Sequence, residues 1–204
     1  LPVSTDDSIV FNGRACLTEC AGECCRHRSY LMISLSDIYH IISSHGAQFF
    51  NIQSTRDLFD GTPPIIELFL HGGYEFFFPY IRYRPLGTDN PAVRPEDAED
   101  CICPFLCPIQ QVYAHHKKKL PSWVNSEAMG CMLMECKPHL CRTSPLGVMR
   151  GMETGRVSYE YAAPNRQCPA CQGETRVLVS DYLKSAWVQG EEEKGGPVAY
   201  TNVY

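Results

Sequence analysis

The chain has 204 residues, 44% of them hydrophobic, and a formal net charge of −5. That length supports one domain with its own core, or two small lobes. The balance is acidic and the Lys and Arg residues are scattered, so no nucleic-acid surface is expected. No apolar run approaches the roughly 20 residues of a membrane helix. The longest stretches, 65–70 and 76–81, are strand-sized and interrupted by Glu67 and Pro79. The first residue is Leu1, which leaves room for an upstream targeting segment; the expected compartment is the cytoplasm.

In chain order, residues 1–13 read as a loosely ordered lead-in, followed by a cysteine-bearing loop around Gly22. Residues 30–35 read as a strand. Ser36 then suits an N-cap, with Asp37 in the first turn favouring the helix dipole. Ile38, Ile41 and Ile42 recur at helical spacing, and Gly46 is expected to end that helix. Residues 65–70 and 74–83 flank His71-Gly72-Gly73, the pattern of a β-hairpin. The aromatic stripe Phe76, Phe77, Phe78, Tyr80 and Tyr83 reads as core or interface.

Residues 84–100 are rich in Pro and Asp and read as loop. Residues 108–120 suggest a helix whose end, His115-His116-Lys117-Lys118-Lys119, is solvated near the negative pole of the dipole. Residues 137–141 suggest a turn of helix. Residues 149–152 and 156–161 are expected to pair across Glu153-Thr154-Gly155. A last amphipathic helix runs from Ser180 to about Gln189, before a polar stretch at 191–196. There is no internal repeat. The fold class expected is α+β, a single domain over 1–204, with short strands and helices wrapped around a cysteine-ligated metal centre.

That centre is inferred from twelve cysteines in three groups. Cys16, Cys20, Cys24 and Cys25 come first. Cys101, Cys103, Cys107, Cys131, Cys136 and Cys141 follow, and Cys168 and Cys171 lie near the end. A chain this long does not need disulfide staples, and adjacent Cys24 and Cys25 could pair with each other only under strain. Metal binding favours clustering, because several thiolates must converge within about 2.3 Å of an ion. The two-residue gap of a zinc knuckle occurs only at Cys168-Pro-Ala-Cys171. The wider Cys-x3-Cys-x3-Cys-Cys spacing of the first group suits a bulkier iron–sulfur cluster. His27, His115, His116 and His139 show no zinc-finger spacing and are not taken as ligands.

The segment Cys16-Leu-Thr-Glu-Cys20-Ala-Gly-Glu-Cys24-Cys25-Arg26 resembles the opening of the YkgJ-type cysteine-cluster family, a zinc- or iron-chelating domain with a CxxCxxCC signature. Leu35-Ser36-Asp37-Ile38, Cys103-Pro-Phe-Leu106 and Cys131 through Lys137-Pro138 to Cys141-Arg142 are similar to its later motifs. So is the closing stretch from Cys168 to Gly173 with Asp181-Tyr182-Leu183. The first spacing is wider here than in the family, and 47–100 and 108–130 look like extensions. The resemblance implies eight metal ligands: Cys16, Cys20, Cys24, Cys25, Cys103, Cys131, Cys141 and Cys168. Cys101, Cys107, Cys136 and Cys171 lie within five residues of a family cysteine, and at least two are expected to bind metal; the alternative for each is a small buried side chain.

The function expected is that of an iron–sulfur protein, most simply [4Fe-4S], in redox or electron transfer. Arg26 and Arg142 would offset thiolate charge, and Gly22, Gly130 and Gly173 would admit close backbone approach. The alternatives are a metal-dependent, methylase-like protein-modifying enzyme and a zinc-stapled interaction module. A protein redox partner or protein substrate is implied, with no nucleic acid and no membrane span.

Overall fold

Short elements dominate: the longest described helix, Leu35–Ser43, has nine residues, and the longest described strand, Phe77–Arg82, has six. The structure, a computed structural model, describes residues 1–20, 22–26, 29–70, 77–88, 90, 92–150, 157–161 and 168–185. His27, the turn at His71-Gly72-Gly73, Phe76, the turn at Glu153-Thr154-Gly155, the end of the last helix near Gln189 and the polar stretch 191–196 lie outside the described residues. Helices and strands are mixed, as an α+β class requires. The chain divides into two compact units, Leu1–Cys20 with His139–Tyr204, and Ala21–Pro138. No described helix is long and apolar enough to cross a membrane.

In the unit of Leu1–Cys20 and His139–Tyr204, Val157–Tyr161 is the middle of a three-stranded antiparallel sheet, flanked by Pro2–Val3 and Leu146–Arg150. Ser8–Val10 pairs separately with Arg176–Leu178. The lead-in is therefore ordered, because its apolar residues have somewhere to go: Ile9 is buried with Leu146, Val179, Tyr182 and Leu183. The last three follow the i, i+3, i+4 pattern on the helix Val179–Ser185, which turns one apolar stripe onto the core.

In the unit of Ala21–Pro138, Phe77–Arg82 is central between Tyr30–Met32 and Ile66–Leu70. Leu31, Ile66 and Ile81 meet in register and are buried. The strands expected over 65–70 and 74–83 are described as Ile66–Leu70 and Phe77–Arg82, with Phe78 and Tyr83 buried and Phe77 exposed. Within the expected loop 84–100, Arg84–Pro85 pairs with Cys101–Ile102 and Pro95–Asp97 forms a 3-10 turn. The helix expected over 108–120 is shorter, Ile109–His115, and its following strand partner Met129–Cys131 pairs with Leu106–Pro108.

Two boundary expectations are corrected. The N-cap of Leu35–Ser43 is Ser34, not Ser36: Ser34 is extended, its hydroxyl accepts from the Asp37 N–H at 3.1 Å, and the Asp37 carboxylate accepts from the Ser34 N–H at 2.8 Å. This reciprocal capping box needs a spacing of three, which Ser36 cannot offer to Asp37. Gly46 does not end that helix. It sits inside the next one, His45–Phe49, where an added Cβ would lie 2.1 Å from the Met132 carbonyl oxygen.

Candidate metal centre

All twelve cysteines lie in described segments, and none forms a disulfide. The adjacent Cys24 and Cys25 sulfurs are 3.9 Å apart, about twice a bonded S–S distance. The two units partition the eight family-pattern cysteines evenly: Cys16, Cys20, Cys141 and Cys168 fall in one, and Cys24, Cys25, Cys103 and Cys131 in the other.

In the Ala21–Pro138 unit, Glu23–Cys25 is a single 3-10 turn closed by the Cys25 N–H on the Gly22 carbonyl at 2.8 Å. Gly22 has φ +82, and a Cβ there would press to 3.0 Å on Leu106; glycine meets both demands. The Cys103 N–H then donates to the Cys25 carbonyl at 2.8 Å, and Arg26 bridges Ile102. Cys25 and Cys103 are thereby neighbours across an antiparallel contact. The chain turns at Cys103–Leu106 and enters the strand opposite Cys131, with Leu106 and Cys131 in register. Burial pushes the Cys131 thiol up, while Lys137 and the backbone N–H groups of Leu133 and Met134 pull the other way. Amides aimed at a sulfur favour its anionic form, the form that binds metal.

In the other unit, Cys16 lies on the short helix Ala15–Thr18, Cys20 is buried just beyond it, and Cys141 is half-buried on His139–Thr143. Cys168 and Cys171 bracket the turn Pro169–Cys171, closed by the Cys171 N–H on the Cys168 carbonyl at 3.0 Å. Ala15, Cys168 and Ala170 form a buried cluster against which Phe11, Cys16 and Cys171 pack. Cys171 is pushed up to about 12, first by burial and then by Cys168, with the Tyr161 hydroxyl opposing and Cys16 adding to the rise.

The four additional cysteines separate by environment. The Cys101 thiol, buried, donates to the Pro95 carbonyl at 3.3 Å. Cys107 is buried with Val112 and Met132. Both fit the small-side-chain alternative. Cys136 ends the turn Met134–Cys136, and Cys171 packs with Cys168 and Cys16. Gly130 makes room for Ile109 and not for a cluster, since its Cβ would lie 2.5 Å from the Ile109 Cδ1.

Among the described residues, no three Cys, His, Asp or Glu side chains already converge as ligands of one ion. The donor chemistry suits a thiophilic metal all the same: thiols from separate segments are gathered, with amide donors at Cys131. Sequence reasoning did not single out Tyr161 or Tyr182. The Tyr161 hydroxyl is hydrogen-bonded to the Val10 carbonyl at 3.0 Å and to Cys171, and burial, Cys16 and Cys171 raise the Tyr182 hydroxyl. Tyr182 lay in the Asp181-Tyr182-Leu183 motif, so a signal was present without a role attached to it.

Comparison of the chain with protein-family models, with characterised proteins and with solved structures finds no match.

Proposed function

We propose that the protein is an iron–sulfur protein of the YkgJ type, in which Cys16, Cys20, Cys24, Cys25, Cys103, Cys131, Cys141 and Cys168 supply the thiolates. The observation that carries this reading is the gathering of cysteines from distant parts of the chain without disulfide formation. Cys25 lies beside Cys103, and Cys16 packs with Cys168 and Cys171. Thiols brought close from separate segments are what a soft metal requires. When bound, a [4Fe-4S] cluster supplies one-electron redox chemistry. The chain's own part is to hold the thiolates and to present N–H groups, such as those of Leu133 and Met134, that stabilise charge on sulfur. A redox role with a protein partner follows from that chemistry.

One observation favours a second reading. Cys168 and Cys171 have the two-residue gap of a zinc knuckle and sit on a tight turn. Zinc would then be a staple and the protein an interaction module. Anaerobic purification followed by iron, zinc and acid-labile sulfide assays separates the two. Brown protein with matching iron and sulfide supports the cluster. Colourless protein carrying zinc supports the staple, and protein with neither metal defeats both.

A further inference from the structure

We propose that the unit of Leu1–Cys20 and His139–Tyr204 carries a metal site of its own, with Cys171 as a ligand beside Cys16 and Cys168. The inference rests on the metal-binding reading above and extends it to the number of sites and to a cysteine outside the family pattern.

The backbone sets the assembly. The Asn12 N–H donates to the Ala170 carbonyl at 2.7 Å, and the Phe11 N–H to the Thr175 carbonyl at 3.1 Å. These bonds lay the segment leading into Cys16 along the segment that carries Cys168 and Cys171. Ala15, Cys168 and Ala170 are buried there, with Cys16 and Cys171 packed on them. The turn Pro169–Cys171 brings the second and third thiols together, and their sulfurs are hydrogen-bonded. The Tyr182 hydroxyl donates to the Ser144 carbonyl, with the Arg142 carbonyl farther off at 3.1 Å; its ring meets Phe11 edge-on at 5.0 Å, and Cys16 and Cys171 lie within electrostatic reach of it.

Chemistry points the same way. Three thiols packed together without a disulfide suit a thiophilic centre. The other unit has a separate set in Cys24, Cys25, Cys103 and Cys131, so it need not borrow Cys171. The first cysteine group thus serves both units, Cys16 one and Cys24-Cys25 the other. The bound species is a thiolate-ligated metal, either cluster iron or zinc, and the assays distinguish the two.

The test uses the full chain purified anaerobically, as wild type, Cys171→Ser, Cys131→Ser and the double variant, with iron, zinc and sulfide measured per chain. Each single variant is expected to lose about half of the wild-type metal and the double variant nearly all of it. Metal retained at the remaining site itself reports a folded chain. Full wild-type metal in Cys171→Ser overturns the proposal, as does complete loss in a single variant that circular dichroism shows to be folded. Should a variant unfold, cobalt titration of the metal-free wild type decides: two binding phases support two sites and one phase overturns them. A wild-type chain without any metal sinks the metal-binding reading itself, an outcome distinct from failure of Cys171 alone.

Discussion

His45 and His115 stack with ring centroids 4.6 Å apart, and the Nε2 of each is hydrogen-bonded to the other's backbone carbonyl, at 3.2 and 2.9 Å. His116 extends the arrangement, its Nε2 reaching the Met132 carbonyl at 2.8 Å. Gly46, next to His45, packs onto the same Met132 backbone. The end of the helix Ile109–His115 is thus tied to the residue that follows Cys131.

Two substitutions test this clamp. Replacing glycine by alanine inside a helix ordinarily helps by about 1 kcal/mol. At Gly46 the new methyl would collide with the Met132 carbonyl, and overpacking against backbone outweighs propensity. Gly46→Ala is expected to destabilise by about 3 kcal/mol. His116→Ala should cost about 1–2 kcal/mol by leaving the partly buried Met132 carbonyl without its donor. Urea denaturation reads both, and a Gly46→Ala chain as stable as wild type would refute the close approach.

The capping box gives a paired comparison. Ser34→Ala removes the acceptor for the Asp37 N–H and is expected to cost about 1 kcal/mol. Ser36→Ala, one turn position inside the helix, should stay within about 0.5 kcal/mol of wild type. Equal losses on thermal melting would return the cap to Ser36.

What the sequence made legible depended on how local the cause was. The paired strands Ile66–Leu70 and Phe77–Arg82 follow from β-forming apolar runs, and the helix Val179–Ser185 from a single apolar stripe. Ser34 was missed because Ser36 offers the same side chain nearer the isoleucines; only the three-residue reach to Asp37 tells them apart. The lead-in was misread because Pro2–Val3 and Ser8–Val10 pair with strands from the far end of the chain, and nothing local announces that. His115 and His116, read as a solvated helix end, are ordered by His45 and Met132, which are equally remote in sequence. For the candidate ligands, spacing indicated clustering, but the division of the cysteines between two units arises from tertiary packing alone.

Alkaline pH should weaken the metal-free protein. Burial and hydrogen bonding with Cys171 raise Tyr161 to about 12 from an ordinary 10.0, and burial with Cys168 raises Cys171 to about 12 from 9.0. Both groups are acids held neutral in the fold. The unfolded chain therefore releases its protons first, at the ordinary values. Their contribution is complete below pH 9 and falls away as the pH rises from 9 towards 12. Melting temperatures of metal-free protein should decline across that range, and less steeply in Cys171→Ala. A decline unchanged by that substitution would remove Cys171 as its source.

Metal removal should lower the stability of the chain while leaving a residual fold. The proposed ligands close long loops, from Cys25 to Cys103 and from Cys141 to Cys168. Cross-links over long loops remove the most entropy from the unfolded state, while the elements between them are too short to be stable alone. Chelation, or oxidative loss of a cluster, is expected to lower both the circular-dichroism signal and the melting temperature. An unchanged melt would make the metal peripheral.

Cys101 and Cys107 provide the internal control. The Cys101 thiol has a carbonyl partner in Pro95, and Cys107 fills an apolar cluster with Val112 and Met132. Burial raises both thiols, with Asp100 adding to the rise at Cys101. Cys107→Ala leaves a small void and should cost about 1 kcal/mol or slightly more. Cys101→Ala also strands the Pro95 carbonyl, at a cost of about 1–2 kcal/mol. Neither should change the metal content, in contrast to Cys171→Ser and Cys131→Ser. Measuring stability and metal on the same preparations separates packing from ligation. Loss of metal from a still-folded Cys107→Ala chain would show that burial here hides a ligand.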